Sequence, residues 1–138
     1  MNQLIVLVVG CGNMGTSHSR AYRKIDEFKI VGLVSRSSKS RERLSEELGG
    51  INTFENIDHA LKVTNPDIVS INTYPDSHAE LVRKALEAGA HVFVEKPLAT
   101  TVKEAEELVE LSMKCNKKLV VGYILRVHPA WAKFIETA

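Results

Sequence analysis

The sequence predicts an α/β fold, a doubly wound parallel sheet of about six strands. Short β-branched apolar runs alternate with helical stretches along the whole chain. The first run, Leu4-Ile5-Val6-Leu7-Val8-Val9, is apolar without a break, as suits a strand covered on both faces. Strands separated by helices are joined by parallel crossovers, which are nearly always right-handed. Helices then cover both faces of one sheet.

Residues 4–9 form the first expected strand, and a helix follows at about 14–25. Residues 29–35 (KIVGLVS) give the second strand. Residues 38–48 are charged and helical, and Gly49-Gly50 stops them. A short, weak strand at 51–54 precedes a short helix at 57–63. The strand at 67–72 is entered through Asn65-Pro66. The helix at 77–88 shows an apolar face at Ala79, Val82, Ala85 and Leu86 and closes at Gly89. After a strand at 92–94, the helix at 101–115 is expected to face Val102, Ala105, Leu108, Val109 and Ser112 inward. Thr101-x-x-Glu104 is a capping box at its start. Residues 119–122 make the sixth strand, and a last helix begins at Pro129, a favoured first-turn position.

The 138 residues suit one domain, with 44% hydrophobic and 25% charged residues. A nucleotide-binding domain is expected over 1–122, with 123–138 a segment that leads out of it. The net charge of +1 gives no field for nucleic acid. The longest early apolar run is far short of the ~20 residues that span a bilayer, so no membrane partner is expected. No Lys or Arg precedes that run, so it does not read as a signal peptide. Cys11 and Cys115 lack metal-ligand spacing; no metal is expected, and a reducing cytoplasm is the simplest home.

Gly10-Cys11-Gly12-Asn13-Met14-Gly15 is G-x-G-x-x-G, placed directly after a strand and opening a helix. Gly10 permits a tight turn, Gly12 lets the backbone approach a pyrophosphate, and Gly15 lets helix and strand pack closely. The pyrophosphate then meets the free N–H groups and the dipole of the helix N-terminus. Such a loop also serves methyl-donor and flavin sites, or a plain strand-to-helix turn; a nicotinamide dinucleotide in a Rossmann fold is the expectation. Cys11 stands near a helix N-terminus, which lowers a thiol pKa, but a small residue filling tight space is the preferred account of it. His18, one turn on, is expected to be structural.

The residue about 20 positions past the loop selects the cofactor. Here Ser35-Arg36-Ser37-Ser38 stands where an NAD-binding carboxylate would be. Arg36 is able to grip a 2′-phosphate, the three serines to donate to it, and Lys39, Arg41 and Arg43 add positive charge. NADP is therefore expected over NAD. An exposed basic helix start, paired with Glu42, Glu46 and Glu47, would look the same.

Strand five ends in Glu95-Lys96-Pro97, and EKPLATT there, with GYILRVHPAW after strand six, resembles the oxidoreductase family named for glucose–fructose oxidoreductase, inositol 2-dehydrogenase and the rhizopine-catabolism protein. The resemblance implies that Lys96 lies beside the nicotinamide and assists proton or hydride chemistry, that Glu95 contacts the nicotinamide-side ribose, and that Pro97 follows a frequently cis bond. It sets Thr73, Tyr74, Pro75 and His78 near adenine and phosphates, although Tyr74 interrupts the family's Thr-Pro-x-x-x-His pattern. Arg126, in the segment with Tyr123, His128 and Pro129, is placed toward nicotinamide or substrate. It implies a homo-oligomer, a sugar- or polyol-like substrate, and a further α+β substrate domain carrying an Asp-x-x-x-His motif that has no counterpart before Ala138. The isolated chain is expected to lack dehydrogenase activity. Two alternatives stand beside this: an NADP(H)-binding module without catalysis, and a relative that uses nicotinamide for glycoside cleavage or elimination.

Overall fold

The computed structural model describes residues 3–137. The strands are β1 (Leu4–Val9), β2 (Phe28–Val34), β3 (Thr53–Phe54), β4 (Ile68–Ile71), β5 (His91–Val94) and β6 (Leu119–Val121). They form one parallel sheet in the order β3-β2-β1-β4-β5-β6. The helices are α1 (Asn13–Tyr22), α2 (Ser38–Glu47), α3 (Ile57–Thr64), α4 (His78–Glu87), α5 (Val102–Lys114) and α6 (Pro129–Thr137), with 3-10 turns at Pro75–Ser77 and Ile124–Val127. The chain winds outward from β1 to β3, returns, and winds the other way from β4 to β6. The reversal between β1 and β4 opens a crevice at their carboxyl ends, where ligands of such sheets bind.

Alternating side chains of β1 feed two cores, as a doubly covered strand requires. Leu7 and Val9 join Val69, Ile71, Val92 and Val94 beneath α3, α4 and α5. Val6 and Val8 join Ile30, Leu33, Leu44 and Leu48 on the side of α2. Three helices are capped by their own side chains: Ser37 accepts from Ser40 N–H, Asn56 from His59 N–H, and Thr101 from Glu104 N–H. At the last of these, Glu104 Oε2 accepts from the hydroxyls of Thr100 and Thr101 (3.0 and 3.1 Å), and these bonds, with the backbone of the same two residues, hold its carboxyl below the usual carboxylate range. Asn65 adopts a left-handed conformation (φ 40°) and turns the chain from α3 toward Pro66 and β4.

The expected inner face of α5 needs correction. Val102 and Val109 are 76% and 40% exposed, while Leu108 and Ser112 are buried with Leu111 and Cys115 partly covered beside them. At 3.6 residues per turn, Val102 and Val109 stand roughly 100–120° around the helix from Leu108, off the stripe that meets α4. The segment after β6 presents Tyr123, Ile124, Val127, Trp131 and Phe134 outward, and Trp131 stacks on Phe134 at 5.5 Å. Among the described residues no helix is long and apolar enough to cross a membrane.

The two sides of α5 give a direct comparison. Leu108→Ala should destabilise the fold by about 2–5 kcal/mol through a cavity beneath the helix. Val109→Ala should cost about 0.5 kcal/mol or less, as for a surface change. Urea unfolding of both variants checks this; equal losses would contradict the assigned inner face.

Candidate functional site

Helix α1 starts without a side-chain cap, its N-cap being Gly12. Thr16 N–H bonds back to Gly12 O, so the N–H groups of the first turn precede any intrahelical partner. Gly10 has φ +95°, and a Cβ on it would meet the Asn72 carbonyl oxygen at 2.6 Å. A Cβ on Gly15 would stand 1.7 Å from Gly10 O. Both glycines are therefore dictated by contact between loop, helix and β4. Gly12 differs: nothing lies within 4 Å of a Cβ built there. Its lack of a side chain serves no contact of the chain itself and leaves the helix terminus open to an incoming anion. Asn13 and Met14 are exposed beside it. These features fit a dinucleotide pyrophosphate.

Cys11 is buried against β2, with Sγ 3.6 Å from Val34 O. Burial pushes its thiol up to about 11, with Arg41 and Arg43 opposing the rise. The helix terminus does not activate it, and Cys11 offers a ligand backbone alone. Among the described residues no group of three or more acidic, Cys or His side chains is arranged to hold a metal.

At the end of β5 the Lys96–Pro97 bond is cis. Glu95 is only 8% exposed, and its Oε1 accepts from His18 Nε2 at 2.7 Å. His18 also packs on Phe93, ring centroids 5.0 Å apart. Gly122, after β6, completes this corner: a Cβ there would touch Phe93 at 3.0 Å and Glu95 at 3.3 Å. Lys96 is exposed, and it makes no ion pair or side-chain hydrogen bond among the described residues. Glu95 and Lys96, adjacent in sequence, thus diverge: one is fixed in the crevice wall, the other stands free at its rim.

His78 requires a correction. Expected beside the cofactor, its side chain is 0% exposed and bridges two loops. Nδ1 lies 2.6 Å from Pro97 O and Nε2 3.1 Å from Thr73 O. It therefore ties the loop after β4 to the Glu95-Lys96-Pro97 turn and does not face the crevice. Thr73 Oγ1 is 2.7 Å from Ser77 Oγ, a local turn contact. Tyr74 is 78% exposed, and Pro75 is exposed beside it at the crevice rim. Arg126 lies exposed in the turn Ile124–Val127.

At the end of β2, Ser35 Oγ accepts from Ser37 N–H at 3.3 Å and Ser37 caps α2. Arg41 folds back to donate to the carbonyls of Ser35 and Arg36, at 2.8 and 3.3 Å. Arg36 and Ser38 project outward, and their side chains have no partner among the described residues. The His18–Glu95 contact at the crevice is one that sequence reasoning missed. Its signal was available: His18 lies one turn beyond Gly15, on the helix whose start defines the crevice.

The family described as an oxidoreductase family with an NAD-binding Rossmann fold (GFO_IDH_MocA) matches residues 4–123. The chain belongs to this family. Over 123 residues it is 30% identical to UDP-N-acetylglucosamine 3-dehydrogenase of Acidithiobacillus ferrooxidans, covering 89% of this chain and 38% of that enzyme. It is 26% identical over 129 residues to myo-inositol 2-dehydrogenase of Thermotoga maritima, covering 94% and 39%. Among solved structures, KijD10, a 3-ketoreductase from Actinomadura kijaniata in complex with NADP and TDP-benzene, superposes with a TM-score of 0.90 at 26% identity, covering 98% and 42%. The chain thus spans about two-fifths of the length of these relatives.

Gly12→Ala should leave thermal stability near that of the wild type while weakening dinucleotide binding at least tenfold. Gly15→Ala should fail to fold, because its Cβ overlaps a backbone oxygen. Calorimetric titration and thermal melts separate the two; retained binding in Gly12→Ala would contradict the role given to the open helix start. At pH 8, a Cys11 thiol with a pKa of about 11 is roughly one part in a thousand thiolate. It should resist alkylation in the native chain and react on unfolding. Burial raises the thiol pKa of the folded chain above its ordinary value near 9, so the stability Cys11 lends is intact below pH 9 and declines as pH rises toward 11. Rapid native labelling of Cys11, followed by peptide mass mapping, would contradict its burial.

Proposed function

We propose that this chain is the cofactor-binding domain of an NADP-preferring dehydrogenase that acts on a hydroxyl or carbonyl group of a sugar, polyol or related substrate. The observation that carries this reading is the pairing of the uncapped start of α1 with a Lys96 that has no partner among the described residues, along the carboxyl edge of one parallel sheet. The relatives support the substrate class through their names: one oxidises a nucleotide sugar and another an inositol. The NADP preference rests on Ser35-Arg36-Ser37-Ser38, which sets no carboxylate against a 2′-phosphate.

When bound, the nicotinamide supplies hydride transfer to or from the substrate carbon. The glycine loop and the first turn of α1 hold the phosphates. Glu95, fixed by His18, presents its second carboxylate oxygen toward the ribose beside the nicotinamide. Lys96 moves the proton at the substrate oxygen: it takes the hydroxyl proton during oxidation and returns it during reduction. The exposed apolar side chains of 123–137 fit a segment that packs on a substrate domain and supports a homo-oligomer. Two free thiols, Cys11 and Cys115, suit a reducing, cytoplasmic setting.

Lys96→Ala, made in the protein together with its substrate domain, should lower turnover at least a hundredfold, the scale of a lost general acid–base group. Thermal stability should stay near wild type, because Lys96 is exposed. Steady-state assays following reduced nicotinamide decide this; wild-type turnover would end the catalytic assignment. Net NADPH formation also separates dehydrogenation from glycoside cleavage, in which no cofactor is consumed overall. Titration of the wild-type chain with both cofactors should give tighter binding for NADP than for NAD.

A further inference from the structure

Three elements converge on the Glu95 carboxylate at the carboxyl edge of the sheet. Val92 and Val94 of β5 join the core beneath α4 and α5, so Phe93 and Glu95 face the other way, and both meet His18 of α1. Oε1 accepts from His18 Nε2 at 2.7 Å, and no other side chain bonds the carboxylate among the described residues. The ring of Phe93 packs on that of His18, centroids 5.0 Å apart. After β6, Gly122 leaves the remaining room: a Cβ there would stand 3.3 Å from Oε1. The side chains of His18 and Glu95 are 20% and 11% exposed. A carboxylate withdrawn from water is penalised unless it is bonded, and breaking its one pair leaves the charge uncompensated. Glu95 therefore stays in its seat only while His18 donates to it.

The seat has a consequence for the next residue. Strand β5 ends at Val94, so the pleat no longer directs Lys96, whose Cα lies about 3.8 Å from that of Glu95. Two side chains of this length meet at the rim once Glu95 swings out. Lys96 takes a hydroxyl proton only as a neutral amine and returns it as an ammonium. A carboxylate in contact with it favours the ammonium and resists the transfer. We propose that His18 is a positioning residue for the proton carrier: by holding Glu95 in the crevice wall it denies Lys96 a carboxylate partner and keeps the Lys96 proton transferable. The proposal rests on the reading of Lys96 given above and adds to it a residue that touches neither substrate nor Lys96.

The test acylates the chain with acetic anhydride at fixed pH and follows Lys96 by peptide mass mapping. Lys62, exposed and without an ion pair among the described residues, is the internal reference. His18→Phe keeps a ring against Phe93 and removes the donor. It should slow Lys96 relative to Lys62 by about threefold, the scale of one exposed ion pair. His18→Gln, whose amide nitrogen reaches as far as Nε2, should keep the wild-type rate. Adding Glu95→Gln to His18→Phe should restore that rate, because no carboxylate is left to pair; a general loosening of the fold would not be reversed by this change. His18→Asn, too short to reach Glu95, repeats the measurement where thermal melts show His18→Phe to be unfolded. An unchanged Lys96 rate in these variants, a slowing that Glu95→Gln does not reverse, or loss of folding in both would overturn the role given to His18. Labelling needs neither cofactor nor substrate, so those outcomes leave the Lys96 reading intact. Wild-type turnover in Lys96→Ala would instead overturn that reading and this proposal together.

Discussion

Helix α1 lies against the end of β1 because neither Gly10 nor Gly15 carries a side chain. A Cβ at Gly15 would sit 1.7 Å from the Gly10 carbonyl oxygen, far inside any allowed contact. That approach sets where the helix starts and along which line it descends. One turn on, the line carries His18 to Glu95 at the end of β5. On the opposite side it carries Thr16 to Arg43 and Arg20 to Glu47. The crevice at β1 and β4 therefore has walls on both sides fixed by a single backbone contact. Displacing α1 outward by the radius of a methyl group would separate His18 from Glu95 and open the α1–α2 gap together.

The architecture was legible because its signals are local. Six apolar runs with helical stretches between them admit few arrangements, and the crossover rule fixes their hand. The glycine loop was legible for the same reason: its three glycines act within six residues of one another. The inner face of α5 was not. Val102 and Val109 are apolar, and the pattern assigned them to the core, but the side of the helix that is covered carries Leu108 and Ser112, with Leu111 and Cys115 partly buried beside them. Hydropathy records which side chains avoid water, whereas the packing partner decides which of them are covered.

The histidines show where local reasoning ends. His18 lies 77 residues from Glu95, and His78 lies 19 from the carbonyl of Pro97. Neither neighbourhood names Glu95 or Pro97 as a partner, although the place of His18 one turn beyond Gly15 does put it on the helix that lines the crevice. Both contacts converge on Glu95-Lys96-Pro97: His18 fixes the carboxylate that precedes Lys96, and His78 holds the carbonyl just after it. His78, expected near the cofactor, is a buried brace between two loops, and His18, expected to be structural, holds the Glu95 carboxylate. In each case the side chain's neighbours come from the returning half of the sheet, which sequence spacing does not encode.

The charge pattern along the crevice follows from those braces. With a net charge of +1 the chain has no global field, so attraction for an anionic cofactor must be local. Positive charge lies at three places along the same edge: Arg20 and Arg43 about Glu47, the uncapped start of α1, and Lys96. The nearest carboxylate to Lys96 in sequence is Glu95, and an exposed Glu–Lys pair there would neutralise the rim. The fold prevents this by turning Glu95 inward, where His18 takes one oxygen and the space left by Gly122 accommodates the carboxylate. A side chain at position 122 would meet Phe93 and Glu95 and press the carboxylate out of its seat. The ammonium of Lys96 is left unpaired among the described residues because its neighbour is held elsewhere, which makes the His18–Glu95 bond a condition of the chemistry proposed for Lys96 as much as of the crevice wall.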